Sequence, residues 1–269
     1  MICFYFHYTE GMFKCKQKYT LTRQSQSQTS YAGTSDLFDF ENGLRNYNSD
    51  IVKKLAQGLG FHGDFHSQIT LIDYGAGTGT LAEIWQSMYG ITPICVEIDR
   101  YQIQILKSKG FKVFSRIMEV DGFVNFVYAS NVLEHIENDL KVLKEIRNKI
   151  KLGGKIAIYV PALTILFSDL DRNVGHYRRY SKSELVGKVK AAGFEVENCY
   201  YNDCVGVLAT FMLKVFGYRN KIGLGSTRSL IFYDKVVYPI SKLLDCLLFK
   251  HIIGKNLVLF AVNSENRVE

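Results

Sequence analysis

Seven consecutive residues, Asp73–Gly79, place three glycines at alternate positions behind an acid, in the pattern D-x-G-x-G-x-G. Glycine adopts backbone conformations that other residues avoid, and it lets a ligand touch the main chain. The run follows a short apolar stretch and opens a helix through Leu81 and Ile84. The unpaired N–H groups of a helix N-terminus therefore face the same place. The pattern indicates a loop that binds the polar part of a small ligand.

A second acid, Glu97, ends the next apolar stretch, 22 residues after Gly75. A carboxylate at the end of the second strand of such a unit can accept hydrogen bonds from both hydroxyls of a ribose. The loop and the acid together therefore predict a nucleoside cofactor. The alternative, a glycine-rich structural turn followed by an unrelated acid, explains the pair less well than it would explain the loop alone.

Two kinds of nucleoside cofactor have to be distinguished. A dinucleotide site expects G-x-G-x-x-G, whereas the spacing here is G-x-G-x-G and Thr80 stands at the next position. Asp73 before the loop would repel a pyrophosphate, but it can orient the ammonium group of an amino-acid moiety, directly or through water. The chemistry favours a cofactor with a ribose and an amino-acid tail over one with phosphates.

Beyond these features, the chain resembles the class I S-adenosylmethionine-dependent methyltransferases over roughly residues 40–202 and the last strand. DYGAGTG matches the glycine signature of that family, Glu97 its ribose-binding acid, and Ile98 the residue that packs on adenine. Ser130–His135 (SNVLEH) matches the segment that lines the methionine side and the active-site floor, and Leu152–Pro161 (LGGKIAIYVP) matches the lead into the fifth strand. The region 115–121 departs from the family, because it lacks an acidic-hydrophobic adenine motif.

The resemblance implies S-adenosylmethionine as the cofactor. Methyl transfer from a sulfonium is an in-line displacement, so the protein must mainly position the acceptor and exclude water. If the acceptor is a hydroxyl, a general base assists the transfer. The residues implied to bind the cofactor are Asp73, Gly75, Ala76, Gly77, Gly79, Glu97, Ile98, Ser130 and Asn131.

Two histidines are candidates for that base or for a contact with the acceptor. His135 lies just after the fourth strand, near the expected position of the cofactor methyl group; the alternative is a helix-start histidine that bonds to the backbone. His176 lies in the loop Asp171–Ser181 (DRNVGHYRRYS), which follows the carboxyl end of the fifth strand, where open α/β sheets place ligands. The loop resembles a D-x-x-x-G-H-x-R-R-Y-S pattern that a subset of these methyltransferases carries beside the acceptor pocket.

The same loop supplies the residues predicted to bind the acceptor, which are Asp171, Arg178, Arg179 and Tyr180. Arg178 or Arg179 can clamp an anionic group, because a guanidinium forms paired hydrogen bonds with phosphate or carboxylate. The alternative is a solvated loop whose arginines pair with nearby acids. No Cys/His cluster has zinc-ligand spacing, so the sequence predicts no metal site.

These residues need a scaffold in which strands and helices alternate. Short apolar runs alternate with helical patterns from residue 69 onward, which predicts a mostly parallel sheet covered on both faces. With the resemblance, the expected fold class is α/β, a Rossmann-like seven-stranded sheet whose last strand is antiparallel. The predicted strands are Ile69–Tyr74, Thr92–Glu97, Phe111–Phe114, Phe123–Ser130, Lys155–Val160, Phe194–Tyr201 and Leu257–Val262.

Capping residues predict where the helices begin and end. Ser49 or Asp50 is expected to cap a short helix through Ile51, and Ser181 a helix that runs to Ala192. The clearest apolar stripe predicts a helix over 136–150 that ends at the glycine pair Gly153–Gly154.

The chain has 269 residues, of which 47% are hydrophobic, and a net charge of +7. This composition is typical of a folded globular protein and excludes a disordered or fibrous one. Residues 1–30 are polar and are predicted to be a mobile leader, with one methyltransferase domain over 31–269. Within it, residues 203–255 are apolar with helical spacing and hold eight basic residues against three acidic ones, which is +5 of the total charge.

This segment, 203–255, predicts a helical insertion before the last strand, with four possible roles. It can be a lid over a hydrophobic acceptor, a helix pair on an anionic membrane surface, a dimer interface, or an extra helical layer with solvated lysines. A nucleic-acid acceptor is disfavoured, because the basic residues alternate with aliphatic ones and no separate RNA-binding domain is evident. No apolar run reaches about 18 residues, and the six cysteines form no C-x-x-C, so we expect a cytoplasmic protein. Peripheral contact with a membrane through residues 203–255 is one of the roles left open.

Together these features predict an S-adenosylmethionine-dependent methyltransferase with a small-molecule, lipid-linked or glycan acceptor, and favour oxygen as the acceptor atom. Transfer to nitrogen or carbon is the alternative within the class. A nicotinamide-dependent oxidoreductase and a non-catalytic cofactor-binding module are the alternatives from other classes. The sequence leaves the oligomeric state open.

Overall fold

The structure is a computed structural model that describes residues 43–61, 69–216 and 227–264. Its centre is one seven-stranded sheet with the strand order β3-β2-β1-β4-β5-β7-β6. The predicted leader, 1–30, lies outside the described residues. The strands are β1 (Leu71–Tyr74), β2 (Ile94–Val96), β3 (Val113–Phe114), β4 (Val124–Ser130), β5 (Ile150–Pro161), β6 (Glu195–Asn202) and β7 (Asn256–Val262).

The direction of the strands confirms the predicted fold class. The ladders from β3 to β5 are all parallel, whereas β7 runs antiparallel to both of its neighbours, β5 and β6. The register places Asp73 of β1 between Cys95 of β2 and Tyr128 of β4. In consequence the carboxyl ends of β1, β2, β4, β5 and β6 lie along one edge of the sheet, here called the carboxyl edge.

Helices cover both faces of this sheet. Asp99, Asn138 and Ser181 accept hydrogen bonds from backbone N–H groups in the first turns of α3, α4 and α6, which confirms the predicted cap at Ser181. The helices are α1 (Arg45–Leu59), α2 (Thr80–Tyr89), α3 (Arg100–Ser108), α4 (Asp139–Lys149), α5 (Asp169–Asn173), α6 (Lys182–Ala191), α7 (Cys204–Phe216), α8 (Thr227–Phe232) and α9 (Tyr238–Leu247), with a π-helical turn, Tyr233–Val237, between the last two.

Two predicted helix limits are wrong. Helix α1 begins at Arg45, before Ser49 and Asp50, because Asp234 from the distant insertion accepts hydrogen bonds from two N–H groups in its first turn. Helix α4 ends at Lys149 rather than at the glycine pair. Ile150 is buried and pairs with Val124, so the chain is already extended there, and both glycines lie inside β5.

The core lies on both faces of the sheet. One cluster packs Ile146 and Leu185 of the helices against Ile156 and Ile158 of β5. The other packs α1 and Trp85 against the opposite face. Burying such side chains contributes about 1.5–3 kcal/mol each, and it makes the carboxyl edge a rigid platform for the loops that leave it.

The insertion between β6 and β7 is helical, as predicted. It comprises α7, α8, the π-helical turn and α9, and residues 217–226 within it lie outside the described residues. It begins and ends at the carboxyl edge, because Asn202 at the end of β6 pairs with Asn256 at the start of β7. Among the described residues, no helix has both the length and the apolar character needed to cross a membrane.

Candidate functional site

The glycine loop after β1 adopts a backbone that glycine alone takes readily. Gly75, Gly77 and Gly79 have φ angles of 76°, 58° and 89°, in the left-handed region that L side chains disfavour. A Cβ atom on Gly75 would lie 2.4 Å from Cγ2 of Val132, and one on Gly79 would lie 2.8 Å from Cδ2 of Leu106. The loop therefore packs closely against the segment after β4 on one side and against α3 on the other.

Glu97, directly after β2, fixes this loop. Its Oε2 accepts a hydrogen bond of 2.9 Å from the N–H of Gly77. Its Oε1 accepts from the N–H groups of Ile98 at 2.7 Å and Asp99 at 2.9 Å. Burial raises the pKa of Glu97, and these three N–H groups oppose that shift. A carboxylate has about four acceptor positions, so Glu97 retains capacity for a ligand hydroxyl while it holds the loop.

Asp73, before the glycine loop, and Ile98, after Glu97, differ in burial and polarity. Asp73 is buried, and burial raises the pKa of its carboxyl to about 7; the Tyr128 hydroxyl opposes the shift and the Glu97 carboxylate adds to it. A cation beside Asp73 would favour its ionised form, which suits the ammonium group of an amino-acid tail. Ile98 is 82% exposed and presents an apolar surface beside Glu97.

The segment after β4 turns sharply beside the glycine loop. Asn131 is exposed and has a φ of 53°, a conformation that Asn tolerates better than most residues. Its side-chain amide lies 3.4 Å from Oγ of the half-buried Ser130. The chain then forms a short 3₁₀ helix, Leu133–His135. Because Gly75 faces Val132, this helix, and His135 with it, follows directly on the contact with the loop.

The two predicted histidines meet at this point. The ring centroids of His135 and His176 are 4.5 Å apart, with the edge of one ring towards the face of the other. Nδ1 of His135 lies 3.3 Å from the carbonyl oxygen of Gly175. Burial and the neighbouring His176 lower the pKa of His135 to about 4, against a smaller opposing effect of the Gly175 carbonyl. His135 is therefore neutral at physiological pH, and a lone pair on its ring can bind a cation.

Asp171 orients the second histidine. Its Oδ1 lies 2.9 Å from Nδ1 of His176, and the same oxygen accepts a hydrogen bond of 2.8 Å from Nε of Arg179. Its Oδ2 accepts from the N–H of Ser168 at 3.0 Å. Burial alone would raise the pKa of Asp171, but His176 and Arg179 together hold it below its usual value. With Asp171 ionised, His176 directs its other ring nitrogen, Nε2, towards the interior of the site.

Glu134 completes the cluster and was not predicted as a site residue. Its side chain is fully buried, and its Oε1 lies 4.0 Å from Nε2 of His176. Neither of its carboxylate oxygens has a hydrogen-bond partner in the structure. Burial raises the pKa of Glu134 to about 8; the nearby backbone N–H of Glu134 itself and Arg179 oppose the shift, and Asp171 reinforces it. The only signal for it in the sequence is its position next to His135 in the segment Ser130–His135.

The predicted acceptor-binding residues divide between two carboxylates. Arg179 binds Asp171 and belongs to the histidine cluster, whereas Arg178 forms an ion pair of 2.8 Å with Asp139 at the start of α4. The Tyr180 hydroxyl also donates to Asp139, at 2.7 Å. The structure therefore brings His135, His176, Asp171 and Arg179 together in one cluster. Arg178 and Tyr180 instead contact Asp139 of α4.

Comparison with known proteins gives a family and a fold. Residues 40–198 match the model of a family described as "Methyltransferase domain". A search of curated proteins gives no match to this chain. Many solved structures share the fold, at sequence identities too low to identify an acceptor.

Three of these structures serve as examples. An S-adenosylmethionine-dependent methyltransferase from Archaeoglobus fulgidus is 20% identical, with 84% of this chain and 99% of that one covered and a TM-score of 0.54. Phosphoethanolamine N-methyltransferase 2 of Haemonchus contortus, solved with S-adenosylmethionine, is 16% identical, with a TM-score of 0.57. The match covers 88% of this chain and 58% of that one. Geranyl diphosphate C-methyltransferase of Streptomyces coelicolor is 13% identical, with a TM-score of 0.53. The match covers 80% of this chain and 79% of that one.

Proposed function

Because the chain belongs to the methyltransferase domain family, we propose that it transfers the methyl group of S-adenosylmethionine to an oxygen of a small-molecule, lipid-linked or glycan acceptor. The observation that carries the proposal is the hydrogen bond from Gly77 to Glu97. It joins a glycine loop and a ribose-type acid into one unit, and that unit adjoins the histidine cluster through the contact between Gly75 and Val132.

The residues at the carboxyl edge fit each part of this cofactor. Glu97 accepts hydrogen bonds from the ribose hydroxyls, and Ile98 packs its exposed side chain on the adenine ring. Asp73 orients the ammonium group, and the turn at Ser130 and Asn131 borders the methionine portion. Once bound, the cofactor supplies a methyl group that its sulfonium has already activated, so the protein must position rather than activate it.

The acceptor oxygen lies at the cluster of His135, His176 and Glu134 in this proposal. Its lone pair attacks the methyl carbon in line with the departing sulfur, and its proton leaves through the cluster. Asp171 holds the His176 ring in one orientation, which lowers the entropy cost of alignment. Buried Arg179 adds positive charge behind Asp171 and near any anionic group on the acceptor.

The surface of the insertion supports a lipid-linked acceptor. Its helices expose many large apolar side chains, and clusters of such side chains mark interaction or membrane surfaces. Several apolar side chains on α7, on α9 and just after α9 are between 50% and 70% exposed. They include Leu208, Phe211, Met212, Val215, Ile240, Leu243, Leu247 and Ile252.

The charges on this surface favour an anionic bilayer over a second copy of the chain. All three acids of the insertion, Asp203, Asp234 and Asp245, are buried. Its described bases are instead largely exposed, among them Lys214, Arg228, Lys235 and Lys242. Two copies would bring like charges together, whereas anionic headgroups would pair with them while the acyl region takes up the apolar side chains.

The insertion also lies where a membrane-borne acceptor could reach the histidines. It leaves the sheet at the carboxyl edge, and Nζ of Lys214 on α7 donates to the carbonyl of Ile165, which precedes the loop that carries His176. Ile165 is itself 76% exposed. A bilayer on this face would therefore adjoin the proposed acceptor site.

The acceptor can be identified by product analysis. The protein is incubated with methyl-labelled S-adenosylmethionine and with separate lipid, glycan and small-molecule fractions of a cell extract, and the labelled products are analysed by mass spectrometry. We expect one labelled methyl ether in the lipid or glycan fraction. Label on nitrogen or carbon alone would overturn the choice of oxygen, and label confined to nucleic acid would overturn the acceptor class.

A further inference from the structure

Glu134, His135 and His176 place three metal-binding groups in one small volume. One ligand atom from each, a carboxylate oxygen and two ring nitrogens, lies within 4.8 Å of the others. Three ligands that surround one ion at about 2.1 Å in tetrahedral geometry lie about 3.4 Å from one another. A contraction of up to about 1.4 Å, within the reach of side-chain rotation, therefore brings all three into coordination distance.

The partners of the two histidines suit metal binding. Metal-binding histidines usually donate their second ring N–H to a carboxylate or a backbone carbonyl, which fixes the ring. His176 has Nδ1 at 2.9 Å from Asp171, and His135 has Nδ1 at 3.3 Å from the carbonyl of Gly175. Both supporting contacts use Nδ1, and in His176 this leaves Nε2 directed towards Glu134.

Glu134 provides the independent observation. It is fully buried, and neither carboxylate oxygen has a hydrogen-bond partner in the structure. A buried carboxylate without partners costs several kcal/mol unless a charge or a proton compensates it. Arg179 lies close enough to influence it electrostatically, but it donates its Nε hydrogen bond to Asp171. The side chain that lacks a partner is thus the one that faces the histidine pair.

We propose that Glu134, His135 and His176 bind one divalent transition-metal ion, of the Zn²⁺ or Co²⁺ type, and that the open positions of this ion receive the acceptor oxygen. Two imidazoles and one carboxylate favour such ions over Mg²⁺, which prefers oxygen ligands. Three protein ligands with an open position are typical of a catalytic rather than a structural site. The sequence spacing had predicted no metal, because the ligands come from two segments about forty residues apart.

The ion would deepen the proposed acceptor site, and only its catalytic role rests on the proposed function. A bound cation lowers the pKa of a coordinated hydroxyl. With the ion bound, the three side chains serve as its ligands and no longer accept the proton themselves. The O–H bond would then break with its proton passing to solvent, the oxygen would form the new bond to the methyl carbon, and the electron pair of the carbon–sulfur bond would return to sulfur. Binding of the ion itself does not depend on turnover.

The test measures ion binding without any methyl transfer. Protein freed of its purification tag and of metal is titrated calorimetrically with Co²⁺, Zn²⁺ and Mg²⁺, in a Cys246→Ser background that removes the exposed thiol. We expect one tight Co²⁺ or Zn²⁺ site per chain and no comparable Mg²⁺ site. Loss of ellipticity would reveal unfolded variants, so near-isosteric changes are used: H135N, H176N and E134Q should each abolish the site.

Two further variants separate a metal site from unspecific histidine binding. D171N removes the support of His176 but none of the three ligands, so it should weaken the site by roughly 10–100-fold without abolishing it. H251N removes an exposed histidine elsewhere and should leave the site unchanged. Absence of a tight site in the parent protein, or an equal site in H176N, would overturn the metal proposal. Neither result would affect the methyltransferase proposal, whose own test is cofactor binding.

Discussion

The N–H of Gly77 donates a hydrogen bond of 2.9 Å to the carboxylate of Glu97, across the ends of two neighbouring strands. The two residues that suggested a nucleoside cofactor separately are therefore parts of one structure. A loop whose backbone is held by the acid that we propose to bind the ribose is preorganised, because both elements are in place before the ligand arrives.

Replacing Gly77 with Val tests this loop. Gly77 has a φ of 58°, so a β-branched side chain would force the loop out of its conformation. We expect affinity for S-adenosylhomocysteine to fall at least about 100-fold, the loss of roughly two charge-assisted hydrogen bonds. Gly90→Val is the matched control, since Gly90 has a φ of 66° at the exposed end of α2 and nothing lies within 4 Å of the added Cβ. Equal affinities of the two variants would refute the placement of the loop.

The buried carboxyl of Asp73 predicts a pH dependence of cofactor binding. Its folded-state pKa of about 7 lies above the usual value, so the carboxyl is largely protonated below pH 7. An ammonium group binds best to the ionised form, and binding therefore releases a proton. Affinity for S-adenosylhomocysteine should rise between pH 6 and about 8, and it should level off above that range.

D73N supplies the control for this pH profile. The amide does not titrate, so the variant should bind more weakly above pH 7 and show a flat profile over the same range. The same linkage affects the cofactor-free protein, because a raised folded-state pKa adds stability at low pH that is lost as the pH rises through 7. D73N should therefore stabilise it more at pH 8 than at pH 5 in thermal unfolding. A wild-type affinity independent of pH would contradict the assigned role.

His176 should affect catalysis and not cofactor binding. H176N removes the Nε2 atom that faces Glu134. We expect kcat to fall about 100-fold or more, the usual effect of losing a group that accepts or donates a proton in the reaction. Affinity for S-adenosylhomocysteine should stay within about twofold, since Glu97 and the glycine loop are unchanged. R172Q alters an exposed ion pair in the same loop and serves as the control. A kcat equal to that of R172Q would exclude His176 from the site.

Vesicle flotation tests the proposed membrane contact of the insertion. The protein should float with vesicles that contain anionic phospholipid, and less with neutral ones. L243S/L247S removes two side chains that are 64% and 70% exposed, and should weaken binding by roughly tenfold for each residue. F123S is the control, because Phe123 is 73% exposed and precedes β4 at the opposite edge of the sheet. Equal recovery of all three proteins, or no flotation at all, would refute the membrane contact.

The sequence predicted the sheet well, because its signals are local. Each strand is a short apolar run next to a turn signal, whereas the seven-stranded sheet and its antiparallel last strand were expected from the resemblance to the methyltransferase family. Helix limits were less accurate where a distant residue decided them. The start of α1 depends on Asp234, nearly two hundred residues away, which no local capping rule could indicate.

The candidate site likewise combines features that local sequence patterns predict with contacts that they do not. The glycine loop and Glu97 carry strong local patterns, whereas the partners of the histidine loop depend on tertiary contacts. Arg178 and Arg179 are adjacent in the sequence, yet one binds Asp139 and the other Asp171. Glu134 became notable only through its complete burial and lack of hydrogen-bond partners, which a sequence pattern does not report.

The most direct test of the central claim is a calorimetric titration of the purified protein with S-adenosylhomocysteine and, separately, with NAD. The account predicts one S-adenosylhomocysteine site per chain and no measurable binding of NAD, because Asp73 and the G-x-G-x-G spacing disfavour a pyrophosphate. Binding of NAD without binding of S-adenosylhomocysteine would contradict it.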